Sequence, residues 1–68
     1  MKFYNDEWEE FITNCGFTDD ELEIVQLLRR GWYGEDIAAD LGYSRRTIER
    51  RKRLIKSKIS RYISKAQH

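Results

Sequence analysis

Proline is absent from this sequence, cysteine and histidine occur once each, and only four glycines are present. Each scarcity excludes something. A lone Cys15 closes no internal disulfide, and no Cys/His pairing has the spacing of a zinc site. No apolar run approaches the ~20 residues that span a bilayer, and the N-terminus carries no signal-peptide pattern, so no membrane partner is expected. Neither a nucleophile–base pair nor a glycine-rich phosphate loop occurs, so the sequence predicts no enzyme, no metal and no cofactor. A reducing cytoplasm is the expected setting.

What is present is a 68-residue chain, 40% hydrophobic and 37% charged, with nine aromatic residues. That is the composition of one small folded domain, near the size at which a single core is only marginally stabilising. The net charge of +1 conceals a strong asymmetry. Residues 1–28 hold eight acids against Lys2 alone, whereas residues 44–68 hold ten Lys and Arg against Glu49 alone. Two readings follow: the basic end meets a polyanion, or the acidic half neutralises it internally.

Four helical segments and no strand pattern predict an all-α fold. The first runs from Asn5 to Asn14, with Asp6 and Glu7 at the positive end of its dipole and Trp8, Phe11, Ile12 and Cys15 at helical spacing. Gly16 is its stop. The second is announced by Thr18 and Glu21, a capping box, with Phe17 and Leu22 at the positions of a hydrophobic staple. Leu22, Ile24, Val25 and Leu28 form its apolar face, and Arg29-Arg30-Gly31 its end. The third spans Gly34 to Leu41, with Ile37, Ala38 and Leu41 inward. The fourth opens on Ser44 as N-cap and reaches about Ala66, since nothing in it breaks a helix. Its stripe is Ile48, Ile55, Ile59 and Tyr62, joined by Leu54 and Ile63.

The third and fourth segments have the spacing of a helix-turn-helix. Two helices crossing steeply through a short turn need a small residue at the crossing, a residue tolerant of positive φ in the turn, and a buried aliphatic to lock the second helix. Ala38, Gly42 and Ile48 supply them, at the fifth, ninth and fifteenth positions of a twenty-residue unit beginning at Gly34. With Ile48 inward, the opposite face near the start of the fourth helix carries Arg45, Arg46, Glu49, Arg50 and Arg53, the candidate base-reading set. Arginine makes paired bonds to guanine, and Glu49 accepts from a cytosine amino group. Candidate phosphate contacts are Ser44 and Thr47 at the helix start, the flanking Lys52, Lys56 and Lys58, and Tyr33 just ahead of the third helix.

From Phe17 to Ile59 the sequence resembles the LuxR/GerE-type helix-turn-helix and is similar to region four of bacterial sigma factors. The resemblance rests on Thr18 and Glu21, Leu28, Gly31, Ile37-Ala38, Leu41, Ser44, Thr47-Ile48, Ile55 and Lys58-Ile59. It implies that the fourth helix is the recognition helix, with Ser44 and Thr47 on phosphate. Three departures stand out. Tyr33 replaces a small capping residue, so Gly34 is a candidate cap. Arg51 replaces a commonly semi-buried histidine, so its stem is expected across the core with its charge in solvent. No receiver or ligand-binding domain precedes the motif, so control by phosphorylation or a small ligand is not implied.

The expected organisation is a single domain, 1–68, with an accessory N-terminal helix (1–16), the resemblance-bearing core (17–59) and a C-terminal extension (60–68). Trp8, Phe11 and Ile12 either enter the core or face a protein partner such as RNA polymerase. The stripe of Ile55, Ile59, Tyr62 and Ile63 either receives the first helix or pairs with its copy in a homodimer through the N- and C-terminal helices, with half-sites roughly 34 Å apart. Cys15 reads as a small core residue, and His68 has no evident partner. The expected function is sequence-specific recognition of double-stranded DNA by a small bacterial or phage transcriptional regulator. The alternatives are a DNA-targeting subunit of a recombinase or packaging machine and a sigma-like protein-interaction module.

Overall fold

Three of the four helices begin in the same way, with an acid three residues after the cap accepting a bond from the cap's backbone N–H. The computed structural model describes residues 2–66, so His68 and the last two positions of the 60–68 extension lie outside the described residues. Within them the helices are α1 (Asn5–Asn14), α2 (Asp19–Arg29), α3 (Gly34–Leu41) and α4 (Arg45–Ala66), and there is no strand. Glu7 accepts from Tyr4 N–H at 2.9 Å, Glu21 from Thr18 N–H at 2.8 Å, and Asp36 from Tyr33 N–H at 3.4 Å. Each carboxylate also faces the positive end of its helix. Tyr33, not Gly34, is therefore the cap residue of α3; Gly34 is already its first helical residue. At α4 the arrangement is reversed: the hydroxyl of the cap, Ser44, accepts from Thr47 N–H three residues on, at 3.2 Å.

The core is built from Trp8 and Phe11 of α1, Ile24, Val25 and Leu28 of α2, Ile37 and Ala38 of α3, and Ile48, Ile55 and Ile59 of α4. α1 thus belongs to the core, and its aromatics decide where it sits. Phe3 lies edge-on to Trp8 and Phe11, with centroids 5.2 and 4.9 Å away, and Phe11 lies edge-on to Tyr62 at 6.2 Å. These contacts dock α1 on the distal half of α4. Two apolar residues are placed differently from the sequence expectation. Leu22 is only half-buried, and Leu27 packs on the core instead. Leu54 does not join the stripe: it is 53% exposed. Ile48, Ile55 and Ile59 fix the inward direction of α4, and Leu54 lies about 100° round the helix from Ile55.

Ion pairs tie α4 to α2. Lys58 Nζ lies 2.6 Å from Glu21 Oε1, and Arg51 lies 3.3 Å from Asp20. Glu21 is the one charged residue buried among those described, at 6% exposure. Burial alone pushes its carboxyl pKa up, but the bonds from Lys58 and from Thr18 N–H outweigh that and hold it below its ordinary value.

Candidate nucleic-acid interface

The α3–α4 junction positions everything on the candidate surface. α3 ends because Gly42 adopts φ +75°, a left-handed conformation that other residues take at a cost. Tyr43 N–H then bonds to Ala38 O at 3.0 Å, closing the turn. Ala38 is buried at the crossing and Ile48 is wholly buried beneath α4. The direction of α4 is therefore set by two buried residues, Ala38 and Ile48, and by the turn at the exposed Gly42.

With Ile48, Ile55 and Ile59 inward, Arg46, Arg50 and Arg53 emerge on the opposite side of α4, flanked by Arg45 and Lys56, and all five are exposed. None of the five takes part in an ion pair among the described residues. The cations that do are Arg29 with Glu9, Arg51 with Asp20, Lys52 with Glu49, and Lys58 with Glu21. The charge asymmetry of the sequence thus has a divided outcome. Arg51 and Lys58 are matched internally by the acidic half, whereas the outward cations of α4 have no counter-charge among the described residues.

The structure sorts the other sequence-predicted residues. Lys58 is a correction: besides Glu21, its ammonium reaches Gly16 O at 3.4 Å, on the side of α4 that docks against α1 and α2. Its ammonium is thus engaged within the fold, with 32% of its side chain exposed. Arg51 is half-buried as expected, but its guanidinium does not stand free in solvent: it lies over the Tyr43 ring at 4.9 Å and pairs with Asp20. Ser44 and Thr47 share a hydroxyl–hydroxyl bond of 2.9 Å at the start of α4. Tyr33 is 70% exposed but borders a cleft lined by Trp32, Asp36 and Asp40, whose carboxylates repel phosphate. Glu49, Lys52, Arg53 and Lys56 line a recess of about 260 Å³ along α4.

Glu49 has a neighbour the sequence did not suggest. A methyl group built on Gly34 would meet its Oε1 at 2.5 Å, so the carboxylate rests against the first residue of α3 because Gly34 has no side chain. Lys52 Nζ is 3.8 Å away on the other side. Arg61 and Lys65, absent from the sequence-based set, are also exposed and form no ion pair among the described residues. Helical spacing alone would have placed them outward. Cys15 is half-buried; burial and then the Glu10 charge raise its thiol pKa, with Lys58 opposing, so it stays protonated at neutral pH. No cluster of three or more His, Cys, Asp or Glu able to hold a metal occurs among the described residues. No helix among them is long and apolar enough to cross a membrane.

Comparison with known families places this arrangement. The family model of the homeodomain-like domain matches residues 17–61, about two thirds of the chain, from the α2 cap through the outward face of α4. No curated protein and no solved structure matches the chain.

Proposed function

The chain belongs to the homeodomain-like family of helix-turn-helix DNA-binding domains, and on that premise we propose that it reads double-stranded DNA through the major groove with α4. The supporting observation is a group of five exposed cations without ion-pair partners among the described residues: Arg46, Arg50 and Arg53 on the side of α4 opposite its buried stripe, with Arg45 and Lys56 flanking them. Arg46, Arg50 and Arg53 are the base readers, since they lie farthest from the core. Arg45, Lys56, Ser44 and Thr47 hold phosphate, with Lys52 beside them. Glu49 reads a cytosine amino group from its seat on Gly34.

The biological role is that of a small transcriptional regulator of the LuxR/GerE kind, working in the cytoplasm, with 17–59 as the DNA-binding core and no catalytic step. One reading helix per chain, and a monomer in solution, fit the burial of Ile55 and Ile59 inside the molecule, which leaves only the half-buried Tyr62 and Ile63 of that stripe to a second copy. A module of this size buries only about 600–1,000 Å² of protein on DNA, so it is selective within a composite site or beside a protein partner.

The test is selection of binding sites from random duplex DNA, followed by anisotropy titrations of the enriched duplex. Arg46→Ala and Arg50→Ala should each lower affinity for it about 10-fold or more while leaving the fold intact. Enrichment of no sequence, or equal binding by both variants, rules the proposal out.

A further inference from the structure

Leu54 is the residue that neither the core nor the ion-pair network absorbs. Its neighbours in the sequence divide cleanly: Ile55 is wholly buried, while Arg53 joins the outward arginines. Leu54 itself stands 53% exposed, one turn beyond Arg50 on the same helix. Among the described residues it is the one aliphatic side chain of the large hydrophobics left exposed; the other two, Tyr4 and Tyr33, lie off α4.

We infer that Leu54 is a base-reading residue, making apolar contact with the 5-methyl group of a thymine. The inference rests on the proposed reading of the major groove by α4. In that groove the thymine methyl is the one apolar feature a base edge presents, and arginine cannot read it. The reach is right: eight residues separate Arg46 from Leu54, a rise of about 12 Å, so both fall within a few base pairs of each other. Arg50 and Arg53, which precede it on the helix, hold the duplex against α4. The leucine, costly to leave in water, is dehydrated only when a methyl covers it. Leu54 thereby adds a preference for A·T at one position of a site whose arginines prefer G·C.

The test uses the duplex enriched by selection with the 68-residue protein, with each thymine in turn replaced by deoxyuridine, which removes the methyl and nothing else. One replacement should weaken binding by the wild-type protein about fourfold, the value of one buried methyl. Leu54→Ala should bind the thymine and uracil duplexes equally, and Leu54→Met should restore the difference. Urea midpoints should be unchanged in both variants, because the side chain supports no core contact. If no thymine shows a methyl effect, or if the effect survives in Leu54→Ala, the inference is overturned. Should Arg50→Ala abolish sequence preference in that same experiment, the wider reading stands and only Leu54's role falls. If selection enriches nothing, both fall together.

Discussion

At the scale of single residues, the most consequential side chain is Glu21, which completes the α2 cap and neutralises Lys58 at once. Its carboxyl is held below the ordinary value in the folded protein, so it contributes stability above pH ~4.5, and that contribution is lost as pH falls through the folded value. Unfolding free energy should therefore decline on acidification below about pH 5. Glu21→Gln should remove this part of the decline and cost about 1–2 kcal/mol at pH 7, measured by urea titration at each pH. Gly34→Ala is a different kind of probe. The added methyl collides with the movable end of Glu49, not with backbone, so stability should change by less than about 1 kcal/mol. The carboxylate must swing away from α3, and site selection with this variant should show altered preference at one base pair while the others hold.

At the scale of elements, the turn between α3 and α4 is the sensitive joint. Gly42→Ala places a Cβ in a left-handed conformation and should cost about 1–2 kcal/mol, visible as a lowered urea midpoint. Ala38→Leu should cost more, about 1–3 kcal/mol, since α3 and α4 would have to separate. DNA selectivity should suffer alongside stability, because the angle of α4 changes. The helices themselves were legible in the sequence for local reasons: Thr18 with Glu21, Ser44 as a hydroxyl cap, and Gly16, Gly31 and Gly42 as stops all act within a few residues. The stripe through Ile48, Ile55 and Ile59 was equally readable from its spacing. Leu54 and Lys58 were not. Where the boundary of a buried stripe falls, and which of ten cations finds an acid, depend on how α1 and α2 lie across α4, and no local pattern encodes that. Glu49's seat on Gly34 was hidden for the same reason: fifteen residues separate the two, and only the crossing of α3 and α4 brings them together.

At the scale of the whole molecule, binding strength should be governed by the cations that meet phosphate. If Arg45, Lys52 and Lys56 neutralise phosphate, log affinity should fall against log salt with a slope of about −2.7, and Lys56→Ala should reduce that slope by about one without altering the preferred sequence. Lys58→Ala should leave the slope unchanged and lower stability instead, which separates a cation spent on folding from one spent on DNA. The distribution of the remaining charge has a kinetic consequence. Exposed acids such as Asp6, Glu10, Glu23, Glu35 and Asp40 lie on α1, α2 and α3, whereas α4 carries exposed Arg45, Arg46, Arg50, Arg53 and Lys56 with Glu49 as its one acid. In a body only 38 × 20 × 18 Å this amounts to a large permanent dipole. The field of a duplex exerts a torque on such a dipole before any contact forms, so on the proposed reading each encounter should begin with α4 already turned toward the DNA.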